Sequence, residues 1–224
     1  MFRLYSLLIG YLFGCFQSAY IIGRLKGIDI REHGSGNAGF TNTTRVLGKD
    51  LGYLVFFLDT FKVLWACIVA SLIFRGDSTF THGFAGSPVG VLPCAYAGIG
   101  AILGHIFPFY LGFRGGKGIA SSLALMLCID WKVALITYIV GIAIVASTRI
   151  ISLTSLVMLV VYPITLIIFG FNKEVVALIL AFTVLTYIKH IPNIKRLLNG
   201  TESKFGYDKK AKETIIQKET SSEK

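Results

Sequence analysis

Seven stretches of this chain are dominated by apolar side chains with no polar face: Phe2–Ile22, Leu51–Phe74, Val89–Leu111, Gly118–Ile129, Val133–Ser147, Ser152–Phe171 and Val175–Ile188. A helix that is apolar all round is buried either in a large core or in lipid. A chain of 224 residues cannot enclose so many such runs within itself, which leaves lipid. Composition agrees: charged residues make up 15%, against about 25% in an ordinary soluble protein. The expected fold is all-α and polytopic, with about seven transmembrane helices. A span takes about 17–25 residues, so the fourth and fifth runs are short, and only Asp130-Trp131-Lys132 separates them. The first run is too long for a signal-peptide core and no small-residue cleavage site closes it, so it reads as a retained span.

Charge orients the spans. With seven crossings and the N-terminus outside, every one of the 22 Lys and Arg except Arg3, Lys62, Arg75, Lys132 and Lys173 falls on the inner side. A re-entrant fourth and fifth pair would weaken that bias, so two true crossings, an outer N-terminus and an inner C-terminus are expected. The net charge of +10 is spread over short inner loops and a polar tail at 207–224, which argues against nucleic-acid binding. The tail reads as a disordered extension of a single domain over 1–206. Cys15, Cys67, Cys94 and Cys128 sit in or beside apolar runs without metal-ligand spacing, so neither a disulfide framework nor a zinc site is expected. His82, in the outer loop at 75–88, reads as a solvated histidine.

Three inner segments are unlike connecting loops. The first runs Gly34-Ser35-Gly36-Asn37-Ala38-Gly39-Phe40-Thr41-Asn42-Thr43-Thr44-Arg45. Its glycines permit tight turns that aim backbone N–H groups at an anion, and Arg45 adds a fork suited to phosphate. The second holds His105, then Arg114-Gly115-Gly116-Lys117-Gly118, opening on the fourth run. A glycine turn at a helix N-terminus suits an anion too, although this is not a Walker loop. The third contains His190, Asn193, Lys195, Arg196 and Glu202. A basic helix on anionic lipid explains its cations but not His190 and Asn193. Asp59 and Lys62 lie three apart on one face of the second run, where ionisable groups are normally paired. Arg149 and Ser152 sit where the fifth and sixth runs meet. No His-x-x-x-x-Asp is present, since the fifth positions after the four histidines hold Ala38, Ser87, Tyr110 and Lys195.

Together these segments resemble the bacterial acyl-phosphate-dependent glycerol-3-phosphate acyltransferase family. The likeness runs through G-S-G-N-x-G-x-T-N-x-x-R at 34–45, D-x-x-K at 59–62 and G-H-x-F-P…F-x-G-G-K-G at 104–118. It continues in R-x-x-S at 149–152 and H-x-x-N-I-x-R-L-L-x-G-x-E at 190–202, all in order. Val63 departs from the glycine common there. The resemblance implies a multi-pass enzyme of the bacterial inner membrane, active on its cytoplasmic side. It would move an acyl group from acyl phosphate to the 1-hydroxyl of glycerol 3-phosphate and release lysophosphatidic acid, an intermediate of phospholipid biosynthesis. It implies no cofactor and no metal, and the chain is expected to act as a monomer in the lipid bilayer.

Ser35, Arg45, Lys117, His190 and Asn193 are the expected catalytic residues. Gly34, Gly36, Asn37, Gly39, Thr41, Asn42, His105, Gly115, Gly116, Gly118, Ser152 and Arg196 are the expected substrate contacts. Within this assignment the two glycine loops hold the acyl phosphate and its oxyanion, and His190 with Asn193 orients glycerol 3-phosphate. Either His190 or the departing phosphate takes the hydroxyl proton. The competing reading is a transporter or channel for an organic phosphate anion. No paired halves of the kind that mark transporters are visible. A lipid-binding scaffold is the third.

Overall fold

The computed structural model describes residues 1–74 and 91–205. The loop with His82, expected to face outward, and the tail at 207–224 lie outside the described residues. Among the described residues all regular structure is helical: α1 (Phe2–Gly14), α2 (Ser18–Leu25), α3 (Phe40–Leu47), α4 (Lys49–Ile73), α5 (Val91–Ile106), α6 (Ile119–Ile129), α7 (Trp131–Thr148), α8 (Ile151–Ile168), α9 (Lys173–Lys189) and α10 (Ile191–Leu198). Five segments are long and apolar enough to cross a membrane, or six if α9 and α10, bent by 59°, count as one. α6 is apolar but only 11 residues long. Large side chains such as Phe57, Trp65, Ile139, Ile142, Ile168 and Val184 stand exposed on these helices, as lipid-facing residues do.

The continuous first run expected from sequence is broken. Between α1 and α2, the Gln17 side chain donates to the carbonyls of Gly14 (3.3 Å), Gly104 (3.3 Å) and His105 (3.1 Å). A polar side chain inserted among terminal carbonyls satisfies them and ends the helix there. α1 and α5 meet backbone to backbone. A Cβ on Gly10 would lie 1.9 Å from the Ala97 carbonyl oxygen, and one on Gly104 would lie 2.2 Å from that of Tyr11. Small residues four apart let membrane helices approach this closely.

Side-chain caps start two of the later helices, Asp130 at α7 and Asn172 at α9. Asp130, which alone separates α6 from α7, accepts from the backbone N–H groups of Lys132 (2.8 Å) and Val133 (3.0 Å) and so caps the start of α7. In α8, Pro163 has no N–H for the Leu159 carbonyl; Thr183 of α9 supplies a hydroxyl to it at 3.2 Å. At one end of the bundle Arg3 binds Glu174 through two nitrogens, at 2.6 and 2.9 Å, and Tyr96 adds its hydroxyl at 2.7 Å. Helices α1, α5 and α9 are thereby tied together. The other end opens into a cavity.

Candidate active site

A cavity of about 490 Å³ lies among α3, α4, α6, α8 and α10. The first glycine segment forms one wall. Gly34 takes a left-handed conformation (φ +59°), and a Cβ there would strike the Asn42 side-chain oxygen at 2.3 Å. That oxygen accepts the Ser35 N–H (2.8 Å), while the Asn42 amide donates to the carbonyls of Ile30 (3.1 Å) and His33 (2.9 Å). Asn42 is therefore a brace for the loop. Gly36 donates to His33 and Gly39 to Asn37, each at 3.0 Å. The N–H groups of Ser35, Gly36 and Gly39 are spent inside the loop, so these three are not the open donors expected of it. Gly36 does not line the cavity. Gly34, Ser35, Asn37, Gly39, Thr41 and Arg45 do. Among the described residues Arg45 has no hydrogen bond or ion pair, so its fork is available to a ligand.

The second segment also departs from expectation. Gly115 donates its N–H to Ile106 (3.1 Å) and Gly116 donates to His105 (3.0 Å), so both satisfy terminal carbonyls of α5 rather than an anion. Neither lines the cavity, and Arg114 is exposed away from it. Their smallness is steric: a Cβ on Gly115 would lie 2.0 Å from the His105 carbonyl oxygen, and one on Gly116 2.1 Å from His105 Nε2. Lys117 and Gly118 alone of this loop face the cavity. Burial and the charge of Arg196, with a smaller push from Arg45, hold the Lys117 ammonium down to about 8 against the opposing pull of Glu202.

The third segment closes the site. Lys117 Nζ donates to Asn193 Oδ1, and Asn193 Nδ2 donates to Glu202 Oε1 at 2.7 Å. The same oxygen accepts from Ser152 Oγ (2.9 Å), and Glu202 Oε2 accepts from Arg196 Nε (2.6 Å). Glu202 was not among the expected site residues, although it is the one acidic side chain between Lys189 and Phe205. Burial raises its pKa, but the bonds from Arg196, Asn193 and Ser152 together bring it below the ordinary carboxylate value. His190 is buried, and its Nδ1 lies 2.8 Å from the Thr186 carbonyl. A carbonyl only accepts, so Nδ1 carries the proton and Nε2 keeps a lone pair.

His105 borders the cavity but belongs to a buried ionic cluster. Its Nδ1 is 2.9 Å from Lys62 Nζ, which also donates to Asp59 Oδ1 at 2.9 Å. The opposite wall is apolar, with Phe56, Ile119, Leu123, Ile151 and Met158. Away from the site, the sulfurs of Cys67, Cys94 and Cys128 lie within 4.8 Å of one another in the core. Among the described residues they are the one group close enough to share a metal ion, a closeness that their spacing in the sequence does not show; all three are buried, and Cys67 Sγ donates to the Cys94 carbonyl at 3.5 Å.

Fold and site thus define a helical integral membrane protein with one cavity lined by phosphate-suited side chains on one wall and apolar ones on the other. Residues 4–200 match the glycerol-3-phosphate acyltransferase family. The chain belongs to that family. It is 35% identical over 208 residues to the glycerol-3-phosphate acyltransferase of Aquifex aeolicus, covering 92% of this chain and all (100%) of that one. With its counterpart from Shouchella clausii it shares 39% over 206 residues, covering 90% and 95%. The crystal structure of PlsY (YgiH), an integral membrane glycerol 3-phosphate acyltransferase, superimposes in its glycerol 3-phosphate form with a TM-score of 0.79. Identity is 34%, over 91% of this chain and 96% of that one. The lysophosphatidic acid form gives 0.76 at 33%, over 91% and 95%.

Proposed function

We propose that this protein transfers a fatty acyl group from acyl phosphate to the 1-hydroxyl of glycerol 3-phosphate, releasing 1-acyl-glycerol 3-phosphate and inorganic phosphate. One observation carries the reading: Ser35, Arg45, Lys117, Ser152, His190 and Asn193 converge on a single cavity whose other wall is apolar. Two phosphate-bearing substrates need cationic and hydroxyl donors, and an acyl chain needs the wall of Phe56, Leu123 and Met158.

The bond that forms joins the glycerol oxygen to the acyl carbon; the bond that breaks joins that carbon to the phosphate oxygen. Acyl phosphate is already activated, so the protein's work is placement and charge stabilisation, and placement alone is worth about 7–11 kcal/mol. Arg45, Ser35 and Lys117 hold the phosphates in this reading. His190 Nε2 accepts the hydrogen bond of the attacking hydroxyl, and the departing phosphate or His190 receives its proton. Glutamate 202, by holding Ser152, Asn193 and Arg196, sets the second phosphate subsite.

The test is purified protein in liposomes with labelled glycerol 3-phosphate and, in turn, acyl phosphate, acyl-CoA and acyl carrier protein. Lysophosphatidic acid only from the thioesters would refute the donor assignment. A His190→Ala variant impaired only in glycerol-3-phosphate KM would remove His190 as base.

The same reading includes seven crossings of a bacterial inner membrane, with α6 as the short one. The N-terminus lies outside and the C-terminus with the site in the cytoplasm, and the unit is a monomeric domain over 1–206 with a tail at 207–224. Positive charge near the cavity end supports that sidedness. Cysteines placed at Lys132 and Lys195 and labelled by an impermeant maleimide on intact cells test it, since only the first should react.

A further inference from the structure

The reaction proposed above leaves Asp59, Lys62 and His105 without a chemical part, yet all three are almost fully buried. A buried ion pair seldom stabilises a protein more than apolar residues of the same size would, and inside a membrane it is costlier still. What this one does is visible in its bonds. Lys62 Nζ has three protons and three acceptors: the Phe16 carbonyl (2.7 Å), Asp59 Oδ1 (2.9 Å) and His105 Nδ1 (2.9 Å). Donation to Nδ1 leaves the ring proton on Nε2. Ser18 Oγ adds a bond to Asp59 Oδ1 at 2.7 Å, whereas Asp59 Oδ2 has no partner among the described residues. The cluster therefore locks α4 and α5 to the break between α1 and α2.

Two tethers leave this cluster, one on each side of Lys117. Upstream, the His105 carbonyl accepts the Gly116 N–H at 3.0 Å, and the His105 ring fills the space where a Gly116 Cβ would stand. Downstream, in the first turn of α6, Ser121 Oγ donates to the Asp59 carbonyl at 3.3 Å, while the Thr60 hydroxyl, whose proton goes to the Phe56 carbonyl at 2.8 Å, only approaches that of Ala120 at 3.4 Å. Lys117 is suspended between them. Resting on the acyl-transfer reading, we infer that Asp59, Lys62 and His105 are positioning residues that fix the Lys117 loop for the reaction.

The experiment replaces both charges at once, Asp59→Leu with Lys62→Met, so that no lone charge is left buried. Hydrogen exchange of the peptide spanning 113–118 is compared in micelles with wild type, alongside turnover. The expected result is exchange faster by about tenfold in that peptide with α7–α9 unchanged, and kcat lower by roughly ten- to a hundredfold. Should the double variant not accumulate as folded protein, Asp59→Asn keeps the shape and should show the same changes at smaller size. Unchanged exchange, or looser exchange with unchanged kcat, overturns the inference. Wild type inactive with every donor, while the variant loop still loosens, would instead indict the acyl-transfer reading and leave the brace standing.

Discussion

Replacing Gly116 by alanine adds one methyl group where the structure has no room for it. The new Cβ would sit 2.1 Å from His105 Nε2 and 2.6 Å from the Ala38 carbonyl oxygen, whereas ordinary contact starts at 3.4 Å. Something must retreat by more than an ångström. The His105 ring cannot, since its other nitrogen is held 2.9 Å from Lys62, itself bonded to Asp59 and to the Phe16 carbonyl. Displacement therefore falls on the 112–118 loop and on the backbone at Ala38, which are the supports of Lys117 and of the Ser35 segment. Overpacking of this kind costs about 1–3 kcal/mol. Displacing a group that positions substrate by about 1 Å costs on the order of a hundredfold in rate. The expected result is a folded, monodisperse variant whose kcat/KM falls about a hundredfold. Gly112→Asn serves as the control, because Gly112 is left-handed (φ +63°) with nothing within 4 Å of its Cβ position. Activity of Gly116→Ala within threefold of wild type would show that the loop carries no group needing such placement.

A Lys117 ammonium held near 8 stays protonated below that pH and loses its charge above it, so phosphate binding should be full at pH 7 and weaken on the alkaline side. A pH profile of kcat/KM should bend near 8, and Lys117→Arg, which cannot deprotonate in that range, should abolish the bend; a bend that survives assigns it elsewhere. Glu202→Ala leaves the Ser152 and Asn193 donors without their acceptor, at about 1–3 kcal/mol for each that stays dry. Its melting temperature in detergent should drop measurably below that of Glu202→Gln, and equal values would mean the carboxylate holds nothing. Gly10→Val would drive a branched side chain into the Ala97 carbonyl, 1.9 Å from the Cβ position. Recovery of normal amounts of monodisperse protein by gel filtration would contradict the backbone contact between α1 and α5.

Much of the helix plan was legible in hydropathy because lipid imposes it. Leu51–Phe74 and Ser152–Phe171 appear as α4 (Lys49–Ile73) and α8 (Ile151–Ile168), displaced by one to three residues at their ends. The interruption at Cys15–Gln17 was hidden, since the residues around it are apolar and the carbonyls that Gln17 satisfies belong partly to α5. The pair Gly10 and Gly14, matched by Gly100 and Gly104, is a spacing that does mark close helix contacts in membranes, and it was there to be read. At the candidate site, residue types pointed to segments that the fold brings to one cavity, but not to which atoms stay free. A glycine loop looks alike whether its N–H groups face a ligand or, as at Gly36, Gly115 and Gly116, bond to neighbouring carbonyls. Only tertiary contacts make that distinction. Glu202 stands in the third segment but carries no role in the site expected from sequence, because phosphate calls for cations, whereas the structure uses an acid to hold Ser152, Asn193 and Arg196 together.

The unequal lengths of α6 and α7 have a consequence for where the chemistry happens. From the Asp130 turn, whose exposed Trp131 and Lys132 suit a headgroup layer, α7 extends 18 residues and α6 only 11. At about 1.5 Å per residue the Gly118 end of α6 stops roughly 10 Å short of the level that α7 attains. Lys117 would then stand at the bottom of a well sunk into the leaflet. On the reaction proposed above, the small, water-soluble polyol would descend into that well to meet the fatty chain, and the chain would not have to be lifted out of its oil.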